Sequence, residues 1–353
     1  MKNCYINGLG CVSAQKTTES GFLDDIVFYD TNILPVINPN YKEYIPPAAA
    51  RRMAKGVKMG VVASSLALKD AHVEVPDAII TGTGMGCLQD SEKFVSAIID
   101  NDEEFLTPTS FIQSTHNTVG AQIALGLQCK AYNFTYVHST ISFESCLIDA
   151  QMKFNEDEAS TILVGGVDEH GKHTNDLHHL IGHIKNEEVG SADLIHSNTD
   201  GSIFGEGAIF CTLSDEQTEH SYAKLVDVEI YSQLNEENLE SRIKTFLEVN
   251  KLSVDDIDLV VLGNNGDVTF DSYYKTIEEG IFKDTQQVYY KHLSGEFNTA
   301  SAFGFWLASK IIKEKEIPTL VKINDKPKKT YKNVLLYNQY RGENHSLVVL
   351  QSC

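Results

Sequence analysis

Two periods of apolar residues trade places along the chain. Short runs rich in β-branched and aromatic side chains predict strands at residues 2–15, 78–81, 132–137, 160–165, 226–234, 259–262, 333–337 and 346–350. Residues 198–213, NTDGSIFGEGAIFCTL, predict a turn, a glycine-rich bend and a further strand. Between them, apolar positions at helical spacing predict helices over 51–71 (Met53, Val57, Val61, Val62, Leu66 and Leu68), from about 142, over 239–249 and over 273–281, and a loop from 289 that runs into a helix ending near 313. Gly8-Leu9-Gly10 reads as a turn interrupting the first strand, residues 24–44 with Pro35 and Pro39 as irregular, and 108–127 as a loop feeding a small-residue helix. The βα alternation comes in two rounds with no low-complexity linker between them. It predicts an α/β protein of two related halves, 1–215 and 216–353, stacked in layers and sharing one core.

The stretch Ala131 to Ala150, AYNFTYVHSTISFESCLIDA, carries both periods in succession. Tyr132 to Val137 is strand-like, Phe143, Leu147 and Ala150 share a helix face, and His138-Ser139-Thr140-Ile141 forms a sharp turn between them. Many acyl-transferring enzymes expose a nucleophile on such a turn, where the helix dipole and free N–H groups lower its pKa.

Charge and cysteine usage narrow the setting. With 49 acidic against 29 basic residues, a net charge of −20 excludes nucleic acid and anionic membrane surfaces as main partners. Seven scattered cysteines without a CxxC pair argue against a disulfide framework or zinc ribbon. The N-terminus lacks the apolar core of a signal peptide, and no apolar run approaches the ~18 residues of a membrane span. A cytoplasmic location is expected. Gly82-Thr83-Gly84-Met85-Gly86 has the spacing of neither phosphate-loop motif and reads as a tight turn allowing close backbone approach. His179 and His183, four apart in HGKHTNDLHHLIGH, have metal-ligand spacing but no bracketing cysteine or carboxylate signature. No cofactor or metal is expected.

Several segments together resemble the β-ketoacyl-acyl carrier protein synthases of the thiolase-like superfamily. They are Tyr5-Ile6-Asn7-Gly8-Leu9-Gly10, Arg51-Arg52-Met53, Ala67-Leu68-Lys69-Asp70-Ala71, Ile80-Thr81-Gly82-Thr83-Gly84-Met85-Gly86 and Pro108-Thr109-Ser110-Phe111 with His116-Asn117. Further along come Gly165-Gly166-Val167-Asp168-Glu169 and, most specifically, Asp200-Gly201-Ser202-Ile203-Phe204-Gly205-Glu206-Gly207-Ala208. The resemblance spans nearly the whole chain and implies the thiolase-like layered αβαβα fold. It also implies a Cys-His-His triad, and here all three positions depart from the pattern. Flanking landmarks place Thr140 at the cysteine, Gly263 at the first histidine and Glu296 at the second, with Lys291 retained and the glycine-rich gate altered to Gln339-Tyr340-Arg341-Gly342.

A threonine hydroxyl needs an adjacent base to attack, and a carboxylate repels developing enolate charge instead of stabilising it. Glu296 is expected to pair with Lys291, five residues earlier. Cys146, well into the helix, is expected to be a buried packing residue. The resemblance therefore implies a non-catalytic, chain-length-factor-type subunit. Such a subunit pairs with an active ketosynthase that works with an acyl carrier protein, as in aryl-polyene, flexirubin or dialkylresorcinol clusters. Phe143, where the family has a glycine, and Phe111 are expected at the acyl pocket. Two alternatives stay open. One is an acyltransferase, decarboxylase or 3-oxoacyl synthase homologue using Thr140 or Ser139 with His138, since 138 and 140 share a face on an extended strand. The other is an acyl-binding homodimer. Lys326, Lys328, Lys329 and Lys332 form the one basic run that an acidic carrier protein would meet, or a solvated loop.

Overall fold

The structure is a computed structural model, and it describes residues 2–18 and 22–353. Ten strands make one mixed sheet. The first five are β1 (Tyr5–Val12), β2 (Ala78–Gly82), β3 (Tyr132–Tyr136), β4 (Thr161–Asp168) and β5 (Gly207–Ser214). The second five are β6 (Ala223–Gln233), β7 (Leu259–Leu262), β8 (Gln286–Tyr289), β9 (Asn333–Tyr340) and β10 (Glu343–Gln351). Their spatial order is β8-β7-β9-β10-β6-β1-β5-β4-β2-β3. Counted within each set from its outer edge, both sets read third, second, fourth, fifth, first. In both, the outer three strands are parallel and the inner ones antiparallel. The two sets join between β1 and β6, in the register Tyr5–Lys224 and Ile6–Ala223.

Helices stack on both faces and between the sets. α1 (Lys55–Asp70) and α3 (Thr118–Leu127) cover the first set from outside, with α2 (Leu88–Asp100) near its rim. α4 (Ser142–Asn155) and α7 (Ser301–Glu314) lie between the sets, α5 (Lys172–Leu180) follows β4, and α6 (Glu236–Val249) packs outside the second set. Three buried clusters match these layers. The central one draws Ile6, Ile80 and Val164 from the first set and Val261, Val288 and Leu350 from the second, around Phe143, Phe303 and Phe305 of the inner helices. The outer two centre on Val57, Val62 and Phe210, and on Ile243, Phe246 and Tyr337. Burial of each large side chain contributes about 1.5–3 kcal/mol, so the shared central layer is what makes two half-sheets one body. This is the layered α/β architecture expected from the alternation of elements.

Four local expectations change. Gly8 and Gly10 do not break the first strand, which runs through them. A Cβ at Gly8 would lie 2.1 Å from Ala67 O and one at Gly10 2.0 Å from Ala63 O, so these glycines let α1 rest directly on β1. Pro108–Ser114, read as loop, and Lys172–Leu180, in the polar histidine segment, are helical, as are residues 88–100, for which no element was read. The helix expected over 273–281 is a single turn, Ser272–Lys275, followed by wider turns that end at Gly280. β8 forms in a stretch for which no strand was read, because two buried glutamines, Gln286 and Gln287, mask its apolar character.

Candidate functional site

The strand-turn-helix at 131–150 forms as read. β3 leads into a 3-10 turn, Ser139–Ile141, and α4 starts at Ser142. Ser139 takes a φ of 50°, the left-handed conformation that lets the turn reverse. The reversal breaks the strand alternation. His138 points outward, its Nδ1 3.5 Å from Ser145 Oγ, while Thr140 turns inward and is buried. Thr140 Oγ1 has no hydrogen-bond partner, so the structure does not assemble a His138–Thr140 dyad. Cys146 is buried, donates to Ser142 O (3.1 Å), and burial pushes its thiol well above the usual range. It is not a nucleophile in waiting.

Gly263 follows β7 with no space beside it. A Cβ there would stand 2.2 Å from Asn338 Oδ1 and 3.0 Å from the Tyr274 hydroxyl. Tyr290 in turn donates to Asn338 Oδ1 (3.3 Å). The volume an imidazole at 263 would occupy is therefore filled by an asparagine amide held by a tyrosine.

Glu296 and Lys291 are both buried and joined, Nζ to Oε2, at 2.7 Å. Asn265 Nδ2 donates to the same Oε2 (2.8 Å), tying this pair to the loop after Gly263. Ser139 Oγ donates to Asn298 Oδ1 (3.4 Å), bringing the Thr140 turn against the segment that carries Glu296. The three triad-like segments thus converge, but through neighbouring amides and a salt bridge. His292 is buried against the Tyr289 ring (4.0 Å between centroids), and burial pushes it down to about 3.

The glycine-rich motifs turn out to be the framework of this site. Asp168 accepts from Thr83 Oγ1 (2.9 Å) and Gly84 N (2.8 Å) on one oxygen, and from Thr299 N (2.9 Å) and Oγ1 (2.8 Å) on the other. It clamps the turn after β2 to the loop beyond Glu296, and burial raises its pKa despite these donors. A Cβ at Gly84 would sit 2.1 Å from Asn298, the close approach anticipated for that cluster. Glu169 receives Gly56 N and Gln89 N (2.9 Å), one free N–H from the first turn of α1 and one from that of α2, and burial pushes it up to about 7.

Inside, Phe143 packs edge-on to Phe305 with centroids 5.5 Å apart. Together with Glu144, Tyr290, Ser301, Asn338 and Ser346 these rings line a cavity of about 10 Å³, room for about one water. Glu144 is buried, its Oε1 accepts from Ser346 Oγ (2.9 Å), its Oε2 has no partner, and burial raises its pKa. Phe111 lies elsewhere, exposed on Pro108–Ser114 with its ring tilted at 47° to Phe94, centroids 5.3 Å apart. Arg341 and Gly342 both have positive φ (53° and 75°), which makes the altered gate a tight hairpin between β9 and β10. Asn265, Asn338, Tyr274 and Glu144 were not singled out in the sequence. Only Asn265 carried a signal, the Asn-Gly turn pair.

No protein-family model matches the sequence, and no curated protein resembles it in sequence. Solved structures do resemble it in fold. One described as the ishigamide ketosynthase/chain length factor superposes with a TM-score of 0.82 at 16% identity, over 100% of this chain and 99% of that one. A β-ketoacyl synthase from Burkholderia phymatum STM815 gives 0.78 at 16% identity, over 100% of both chains. A ketosynthase in complex with its chain length factor, from Xenorhabdus doucetiae, gives 0.76 at 14% identity, over 100% of this chain and 98% of that one. The chain has the thiolase-like ketosynthase fold from end to end.

Proposed function

We propose that this chain is a non-catalytic ketosynthase-like subunit of the chain-length-factor type, which pairs with an active ketosynthase through its β3 edge. The observation that carries the reading is the buried Lys291–Glu296 pair at a position where condensation needs a neutral donor. It is reinforced by Gly263, which has no room for a side chain, and by Thr140, whose hydroxyl has no base. The cavity beside Phe143 holds about 10 Å³, too little at that place for an acyl chain. Among the described residues β3 pairs only with β2, and it exposes Tyr132 and Phe134, which suits it to continue into a partner's sheet. Among the described residues no helix is long and apolar enough to cross a membrane. We place the protein in the cytoplasm, divide it into halves 1–215 and 216–353 on the repeated strand order, and assign it no cofactor.

The acyl carrier protein is assigned to the ketosynthase side of the pair. This chain carries a charge of −20, and of its basic run Lys328 is already paired with Asp258 (2.7 Å) and Lys326 with Asp284 (3.5 Å). Aryl-polyene, flexirubin or dialkylresorcinol assembly is the setting the sequence resemblance favours.

Co-expression with candidate ketosynthases from the same genome, followed by native mass spectrometry, tests the pairing. A 1:1 heterodimer is expected, and a homodimer indifferent to the ketosynthase would overturn it. Incubation with acylated and malonylated carrier protein tests the missing chemistry. No adduct on Ser139 or Thr140 is expected, and a stable acyl ester there would establish the acyltransferase reading.

A further inference from the structure

The histidine-rich segment has no part in the proposed pairing, and its side chains do not meet as their spacing suggested. α5 stops at Leu180. Gly182, with a φ of 72°, turns the chain so that the His183 amide donates to His178 O (2.9 Å). His183 therefore faces His178, and His179 lines a separate surface hollow with Asp176, Leu180 and Ile181. The two Nδ1 atoms of His178 and His183 are 3.2 Å apart, and the ring centroids are 5.2 Å apart at 30°. The Tyr340 hydroxyl, on the hairpin between β9 and β10, is 3.4 Å from His183 Nδ1.

Those separations match the edges of a tetrahedral coordination shell. Bonds of about 2.0–2.1 Å from a divalent ion to imidazole nitrogen hold two ligand atoms about 3.3 Å apart. Both histidines are half-buried, which leaves a path for an ion to enter. The nearby cations are already engaged. Arg341 Nη1 is bonded to Asp267 Oδ2 (2.8 Å) with its guanidinium over the Phe270 ring, and Lys185 Nζ is held by Thr199 O (2.9 Å) and Gly266 O (2.6 Å). Among the described residues no three His, Cys, Asp or Glu side chains cluster as a metal site, so the donor set is two imidazoles and one phenol.

We propose that His178 Nδ1 and His183 Nδ1 bind a divalent transition-metal ion of the zinc, nickel or copper class, with the Tyr340 hydroxyl as third donor and water completing the shell. Imidazole nitrogen suits these ions over magnesium or calcium, which take oxygen. The ion ties α5, from the first half, to the β9–β10 hairpin, from the second. That hairpin stands where the sequence resemblance places a glycine-rich gate. A two-histidine site gives modest affinity, which suits a staple that closes and opens with metal supply.

Calorimetric titration of the chelator-treated full-length protein with Zn²⁺, and separately Ni²⁺, tests this. One equivalent binding in the micromolar range is expected. His178→Ala and His183→Ala should each weaken it tenfold or more, Tyr340→Phe by two- to tenfold, and His179→Ala by less than twofold. Co²⁺ should give a visible d–d band that the first two variants lose, with circular dichroism confirming that each variant is folded. Binding that survives both His178→Ala and His183→Ala would overturn the site. Loss in His179→Ala with retention in His178→Ala would overturn it in favour of the helical pair.

Discussion

β3 and β8 are the same element in two copies, each the third strand of its half and each at an outer edge of the sheet, yet they are finished in opposite ways. β3 has a neighbour on one side only, and Tyr132 and Phe134 remain 38% and 44% exposed. β8 is buried throughout, because residues 319–326 run along its outer side. Ile323 N donates to Gln287 O (3.0 Å), Gln287 N to Asn324 Oδ1 (2.9 Å) and Gln286 Nε2 to Asn324 O (2.7 Å). The turns that follow differ likewise. The one after β3 holds a lone hydroxyl at Thr140, while the one after β8, Lys291–Ser294, is wholly buried and anchored by the pair to Glu296. An unpaired edge invites another chain, and proteins that do not want one cover it. Duplicated topology here serves two ends: one copy offers an edge, and the other closes itself.

The largest expected effect falls on the closed copy. Lys291→Met leaves the Glu296 carboxylate buried without its cation and should cost about 3–5 kcal/mol in denaturant unfolding. Lys291→Met with Glu296→Leu should recover most of that loss. A single variant costing under ~1 kcal/mol would mean the pair is not sealed and the contrast between the turns is false. Next comes the open copy. Phe134→Lys should weaken association about ten- to hundredfold in analytical ultracentrifugation, the equivalent of burying one large apolar side chain, with little change in unfolding of the separated chain. Undiminished association would move the interface away from β3. Asn324→Ala unties the strap by leaving Gln287 N unsatisfied, for about 1–3 kcal/mol, and should speed amide exchange at Gln287 and Val288. Exchange there as slow as in the parent chain would show that the strap is not what seals β8.

A further effect, small near neutral pH, is a pH dependence carried by His292. Its folded pKa of about 3 lies below the usual 6.5, so its contribution is complete above pH 6.5 and is lost as pH falls toward 3. The loss is about 1.4 kcal/mol per pH unit, or about 2 kcal/mol at pH 5. His292→Phe should flatten that limb of the stability profile, and an unchanged acid limb would assign it to other groups.

The layered fold was legible because its parallel strands are continuous apolar runs and its turns carry glycine. Elements whose burial is polar were not. β8 hides behind Gln286 and Gln287, whose amides serve the strap. In the site, the Lys291–Glu296 pairing could be read from spacing and charge, whereas Thr140, Gly263 and Glu296 were matched to the triad only by the sequence resemblance. What fills the space beside Gly263 could not, since Asn338 and Tyr274 arrive from elements 75 and 11 residues away in sequence. The histidines show the same limit. A spacing of four implied partnership with His179, but the helix ended before that rule applied.

The covered strand also bears on how large an assembly can grow. A ten-stranded sheet open at both ends is divalent, and like any divalent unit it polymerises. Sealing β8 with residues 319–326 makes the sheet monovalent along its hydrogen-bonding direction. In the proposed pairing, joining through β3 would use this chain's remaining free edge, so growth by strand addition would stop on its side.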